Sequence, residues 1–301
     1  MKEMKENHSL QGHLLAIFTE LVWGTTFVST KVLLRAFTPL EIMIARFALG
    51  FLALLIAGKG LMKAQKKSHE ALFALAGLTG VTLYFLMENI ALTYISASLV
   101  GVIVAAAPLF TALVAAVLLR ERLSLWFFLG FVCAMTGVAL ASLAGVSELA
   151  LDPRGVLLGV GAAFVWGVYS VIVRRLGAMG YRTVPLTCRI FGYGLLFLLV
   201  PACIEGFPAP LSAWTEPLHI ANLLFLGLLA SATCFVTWNR AVFLLGPVKT
   251  SAYIYATPVI TIVSSAIVLH ETMTPVMWLG TALALAGLIL SEHKEKEKAA
   301  G

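Results

Sequence analysis

The chain alternates long apolar runs with short polar breaks. Ten runs can be marked, at about 14–34, 40–57, 71–93, 97–119, 125–143, 155–174, 184–203, 220–243, 249–269 and 275–291. Turn-forming residues separate several of them: Thr38-Pro39, Lys59-Gly60, Asp152-Pro153, Pro208-Ala209-Pro210 and Gly246-Pro247. A helix needs about 20 residues to cross the hydrocarbon core, and runs this long exceed the strands of a membrane barrel. Lipid offers the backbone no hydrogen-bonding partner, so each run predicts a spanning helix. The expected fold is an all-α integral membrane protein with ten transmembrane helices and no soluble domain.

Composition agrees. Of 301 residues, 60% are hydrophobic and 12% charged, against about 25% charged in a typical soluble domain. A soluble enzyme, a nucleic-acid binder and a disordered chain all fit poorly. The cysteines, Cys133, Cys188, Cys203 and Cys234, sit in or beside apolar runs without metal-ligand spacing, which reads as packing. No metal or cofactor is expected. There is no Walker A sequence, HExxH or GxSxG, and the one aspartate is Asp152, in a loop. Nothing therefore points to ATP coupling within this chain, and an intramembrane aspartyl enzyme is excluded.

The two halves of the chain resemble each other. An offset of 143 takes Val22-Trp23-Gly24 to Val165-Trp166-Gly167, Lys31 to Arg174 and Arg46 to Arg189. An offset of 150 takes Asn89 to Asn239, Pro108 to Pro258, Glu121 to Glu271, Gly130 to Gly280 and Gly137 to Gly287. The difference of 7 places extra residues near the Pro-rich segment between the seventh and eighth runs. The predicted organisation is a tail at 1–13, a five-helix repeat at 14–143, a second at 155–291 and a tail at 292–301. An odd number of helices per repeat inverts the second copy relative to the first. Inverted repeats are the usual basis of alternating access, with a site near the midplane.

These residues resemble the drug/metabolite transporter superfamily, specifically its ten-span EamA type. The resemblance rests on Trp-Gly in the first and sixth runs and on the mid-run prolines. It also rests on the blocks from Leu118 to Gly137 and from Leu269 to Gly287. It implies a plasma-membrane protein, of the bacterial inner membrane, that moves a small metabolite such as an amino acid by secondary transport. Export is the expected direction, with proton coupling as an option. A multidrug exporter of the same fold is the alternative, followed by a non-transporting membrane protein or enzyme. The expected partners are a small molecule, the bilayer and possible coupling protons, in a monomer or homodimer that binds no nucleic acid.

Candidate pathway residues are the polar and aromatic ones at depth. A charge at the bilayer centre costs about 2.5–3.5 kcal/mol on insertion scales, so such a residue faces protein or water. Glu20, Trp23 and Phe27 share a helix face. At ~1.5 Å per residue, Glu20 and Arg189 lie about 9 and 8 Å inside the cytoplasmic end of their runs. Glu88 and Arg46 lie about 8 and 9 Å from the outer end. Depth thus allows Glu20–Arg189 and Glu88–Arg46 pairs, acting as gates, carboxylate sites or static locks. Asn89 and Asn239 suit either substrate hydrogen bonding or helix gluing. Pro108 and Pro258 predict kinks that free carbonyls. Tyr84, Trp166, Tyr169, Trp238, Tyr253 and Tyr255 offer an apolar face and a polar tip. Glu121 and Glu271 read as structural helix-end residues. Two small-residue stripes, Gly130-Ala134-Gly137 and Gly280-Ala284-Gly287, allow close packing within the chain or between protomers.

Loop charge sets the topology. With the termini and even-numbered loops on one side, that side carries 16 Lys and Arg and the other carries three, Lys31, Arg35 and Arg154. The positive-inside rule then puts both termini and the Lys59–Lys67 loop in the cytoplasm. In a Lys66→Cys variant, an impermeant thiol reagent should label that site only from inside. Labelling from outside intact cells would reverse the assignment.

Overall fold

The computed structural model describes residues 2–95, 97–120, 124–143, 152–269 and 274–292. The expectations for Glu121, Glu271 and residues 293–301 of the tail fall outside them. Among the described residues all regular structure is helical. The first half holds α1 (Lys2–Leu33), α2 (Pro39–Ala57), α3 (Lys67–Tyr94), α4 (Ala97–Val104), α5 (Ala107–Leu118) and α6 (Leu125–Leu143). The second half holds α7 (Pro153–Ala178), α8 (Thr183–Glu205), the short α9 (Leu211–Thr215), α10 (Pro217–Leu245) and α11 (Pro247–Ala252). It continues through a 3-10 turn (Tyr253–Ala256) to α12 (Thr257–Leu269) and α13 (Pro275–Glu292). Among the described residues five helices, α2, α3, α7, α8 and α10, are long and apolar enough to cross a membrane by length and composition. Large aliphatics such as Ile56, Val117, Leu157, Val200 and Ile204 are exposed on the outside. Apolar side chains on that scale belong against lipid, and the chain is a multi-pass membrane protein.

Local sequence explains the helix ends. Thr38 caps α2 by accepting from the Glu41 amide, and Glu41 returns a bond to the Thr38 amide at 2.8 Å, a capping box. Glu41 also accepts from the Ala209 amide at 2.9 Å, which ties the Pro-rich segment before α9 to α2. That segment is where the offset between the halves changes. Asp152 caps α7, with Pro153 in its first turn, where a missing N–H costs nothing. The first 13 residues, expected as a tail, are helical from Lys2, so α1 is longer than its apolar run.

Two expected spans are broken rather than kinked. The run at 97–119 is α4 and α5, separated at Ala105-Ala106, and the run at 249–269 is α11, the 3-10 turn and α12. Pro108 and Pro258 lie in the first turns of α5 and α12, not inside a continuous helix. A proline ring clashes with the carbonyl four residues back in a helix interior but suits a helix start. Both α3 and α10 contain a π-helical stretch, Leu78–Leu83 and Phe225–Thr233. The first, shifted by 150, falls within the second.

The packing follows an exchange pattern. Helix α1 packs on α10 and α12, while α7 packs on α3 and on α5. Helix α2 meets the π stretch of α10, and α8 meets that of α3. The α2–α8 and α6–α13 contacts join matched helices to each other. Lys31 donates to the Leu92 carbonyl at 3.0 Å near the end of α3. Its repeat mate Arg174 donates to the Phe243 carbonyl at 2.6 Å near the end of α10. A cation there complements unpaired terminal carbonyls.

The small-residue stripes meet within the chain. A Cβ added at Gly287 would lie 2.3 Å from the Ala134 amide nitrogen, so α6 and α13 touch backbone to backbone. Gly287→Ala should therefore cost about 1–3 kcal/mol of stability through overpacking. Gly101→Ala, with no atom of the described residues within 4 Å of the new Cβ, should be neutral or stabilising. Thermal melts of the two purified variants test the contrast. Equal melting temperatures would contradict it.

Candidate functional site

One cavity lies among helices of both halves. Glu20, Trp23, Thr26 and Phe27 of α1 line it, with Arg46 of α2 and Tyr84, Phe85 and Glu88 of α3. Val104 of α4, Trp166 of α7, Ile254 of the 3-10 turn and Thr257 at the start of α12 complete it. Its free volume is about 40 Å³. A water needs roughly 10–15 Å³ by that measure, so the space as it stands has room for a few waters.

Glycines position the two tryptophans. A Cβ at Gly24 would lie 2.5 Å from Ile260 of α12, and one at Gly167 would lie 2.8 Å from the Thr111 amide of α5. Each Trp-Gly pair therefore lets its helix lie directly on a neighbour while the tryptophan beside it turns inward. Trp23 and Trp166 meet edge to face at 5.3 Å. Trp238 stands 5.2 Å from Trp23, and Tyr84 stands 4.8 Å from Trp166. Phe85, Phe235 and Tyr169 extend the aromatic wall. Such edge-to-face and tilted contacts are favourable ring geometries.

The charges are deeply buried. Glu20 is 1% exposed, Arg46 1% and Glu88 6%. Glu20 Oε2 accepts from the Thr257 hydroxyl, while Oε1 has no partner. Arg46 donates through Nε to Ser231 at 3.0 Å and lies 4.5 Å over the Phe85 ring, while its Nη2 has no partner. Trp166 Nε1 is also unpartnered, whereas Trp23 Nε1 donates to Ala230 in the π stretch of α10 at 2.8 Å. Buried polar groups are normally satisfied. Three of the unsatisfied ones lie on the wall of this one cavity, where a water or a bound molecule would reach them.

The structure brings seven of the sixteen candidates to this cavity: Glu20, Trp23, Phe27, Arg46, Tyr84, Glu88 and Trp166. The expected Glu20–Arg189 pair does not form. Arg189 instead makes a two-pronged ion pair with Glu70 and also bonds the Met62 carbonyl. Glu70 lies in the first turn of α3, close in depth to Arg189, and depth alone could not choose between the acids. Glu88 and Arg46 share the cavity but make no ion pair. Arg46 is held instead by Ser231 and the aromatic rings.

Asn239 accepts from Tyr169 at 2.8 Å and donates to Thr187 at 3.0 Å, binding α10 to α7 and α8. Asn89 leaves its Nδ2 unpartnered, away from the cavity wall. Trp238 and Tyr169 stand behind Trp166. Tyr253 bonds His13 at 2.6 Å, and Tyr255 sits beside Phe131. Neither lines the cavity, and neither do Pro108 and Pro258. Thr26, Phe85, Val104, Ile254 and Thr257 were not foreseen. Phe85 follows a candidate and Thr257 precedes one, but nothing in their own types set them apart.

The model of the family described as the EamA-like transporter family matches residues 10–143 and, separately, residues 153–292. The chain is 31% identical over 282 residues to a protein of Streptantibioticus cattleyicolor named as a probable terminal-alkyne amino-acid exporter, covering 92% of each chain. It is 27% identical over 290 residues to an uncharacterized transporter of Archaeoglobus fulgidus, covering 95% of this chain and 98% of that one. It is also 27% identical to the uncharacterized transporter YvbV of Bacillus subtilis, covering 99% and 96%. A solved crystal structure superposes with a TM-score of 0.75 over 95% of this chain and 98% of that one, at 22% identity.

The two asparagines should behave differently on substitution. Asn239→Leu strands the Tyr169 hydroxyl and should destabilise the protein by about 1–2 kcal/mol. Asn89→Leu removes an unpaired buried amide and should be neutral or better. Melting temperatures in one detergent would test this, and equal losses would count against it.

Proposed function

The chain belongs to the EamA-like transporter family, and from that premise we propose that it exports a small amphiphilic metabolite of the amino-acid class by alternating access. Relatives named as transporters point away from an enzyme. The observation that carries the mechanism is the position of the cavity. Its walls come from α1–α4 of one half and from α7, Ile254 and Thr257 of the other.

The arrangement we infer is ten spans in two inverted five-helix repeats. Support comes from the family model matching the chain twice and from the exchanged packing of α1 and α7. The matched π stretches and matched helix breaks add to it. Two such halves can pack in two near-equivalent ways, each opening the cavity to one side. An amino-acid cargo is supported by the name of the relative in Streptantibioticus cattleyicolor. It is also supported by a site that offers both buried charges and aromatic rings. We place Glu20 as the residue that a coupling proton would visit, because the pairing that would have made it a static lock is absent. Both termini lie in the cytoplasm on this reading.

Purified protein in liposomes tests the proposal. Flux of unmodified amino acids, measured with and without a pH gradient, is the expected result. Appearance of a chemically altered product would favour an enzyme instead. Glu20→Gln keeps the shape and the Thr257 bond, so the variant should fold and stay monodisperse. Its flux should fall by roughly tenfold, equivalent to ~1.4 kcal/mol, with a flattened response to the gradient. Wild-type flux with an unchanged gradient response would reject the role given to Glu20.

A further inference from the structure

We propose that the cavity reads its cargo as a zwitterion, the carboxylate bound by Arg46 and Trp166 and the ammonium by Glu20, with the apolar side chain among the rings. This rests on the transporter reading of the same cavity. The first observation is which atoms lack partners. Arg46 Nη2 and Trp166 Nε1 are donors, and Glu20 Oε1 is an acceptor. All three belong to residues that line the cavity and are at most 3% exposed.

The second observation is how each charge is otherwise held. Ser231 and the Phe85 ring hold Arg46, leaving its Nη2 without a partner. Thr257 holds Glu20 by its other oxygen. The Trp23 N–H is already used by Ala230, so Trp166 is the free indole donor of the facing pair.

The third is charge balance. Two carboxylates, Glu20 and Glu88, face one guanidinium. An anion with no positive centre would meet both carboxylates, and like charges in a buried site are strongly unfavourable. A simple amine would leave Arg46 Nη2 and the Trp166 N–H without an acceptor, which a buried site penalises. A molecule with both charges answers all three unpartnered atoms and leaves the net charge of the cavity unchanged.

The test compares three probes of similar chain length: L-norleucine, n-pentylamine, which lacks its carboxylate, and hexanoate, which lacks its ammonium. Each competes against tritiated L-norleucine on the protein in lipid nanodiscs. Norleucine should bind, and the other two should compete at least about tenfold more weakly. Arg46→Gln should erase the preference over pentylamine, and Glu20→Gln the preference over hexanoate. Trp166→Phe keeps the ring and removes the donor, and it should weaken norleucine severalfold without affecting pentylamine. Should Arg46→Gln fail to fold, Arg46→Lys keeps the charge without the planar fork and should also narrow the preference over pentylamine.

No norleucine binding, or pentylamine competing as well as norleucine, would overturn the assignment. Flux of pentylamine without norleucine binding would overturn it while leaving the transporter reading intact. Selective norleucine binding without flux of any amino acid or amine would support the assignment and sink the transporter reading.

Discussion

Two close approaches organise the centre of the molecule. Helix α1 lies on α12 at Gly24, and α7 lies on α5 at Gly167, at separations that leave no room for a side chain. In lipid no hydrophobic force drives helices together, so association depends on contact area and on hydrogen bonds. Glycine permits the contact, and the adjacent position, one residue earlier, then faces inward. That is where Trp23 and Trp166 sit, 5.3 Å apart. The cavity exists because these two helices are pinned outward at their glycines and filled inward by their tryptophans.

A nearly repeated scaffold carries unrepeated chemistry. Arg46 is buried on the cavity wall, while its mate Arg189 serves an ion pair with Glu70 away from it. Glu20 corresponds to Ala163, and Glu88 to Trp238. One tryptophan of the pair spends its N–H on a π-stretch carbonyl, and the other keeps it free. Backbone devices therefore occur in both halves, including the breaks at Ala105-Ala106 and Tyr253–Ala256, the π stretches and the terminal cations Lys31 and Arg174. Buried charge on the cavity wall occurs in one. On the proposed mechanism, a scaffold that moves between two arrangements needs its joints twice, but a cargo needs to be read only once.

This division also decides what the sequence could reveal. Some of the joints are legible because they repeat, though the π stretches and the helix breaks are not. Fixed offsets exposed Trp23 with Trp166 and Lys31 with Arg174, and apolar run length marked the helices. Pro108 and Pro258 were found, but their effect was misread, since a proline does not announce whether its helix bends or restarts. The single-copy chemistry was harder to read. Depth placed Glu20 near Arg189 but could not show that α8 faces Glu70 rather than α1. Thr257 and Phe85 gain their roles from neighbours far along the chain, and no local pattern reports such a contact. Asn89 and Asn239 look alike in sequence and diverge in structure because Tyr169 and Thr187 stand beside only one of them.

The polar breaks in the middle of the helices carry one more step. A π stretch or a helix break leaves backbone groups without their usual intrahelical partners. Inside a membrane protein these groups must be satisfied from elsewhere. Here the Ala230 carbonyl, in the π stretch of α10, receives the Trp23 indole of α1. The Thr82 side chain, in the π stretch of α3, adds a second bond between helices by donating its hydroxyl to the Gly194 carbonyl of α8 at 3.0 Å. These bonds run between helices, so a rearrangement can exchange them without unwinding a turn. On the proposed mechanism, a cargo engages the Trp166 N–H, while the facing Trp23 N–H already holds α1 to α10. The donor that would read the cargo and the donor that joins the helices belong to rings in edge-to-face contact 5.3 Å apart, so a shift of one ring is felt by the other, which couples occupancy of the cavity to the arrangement of the helices around it.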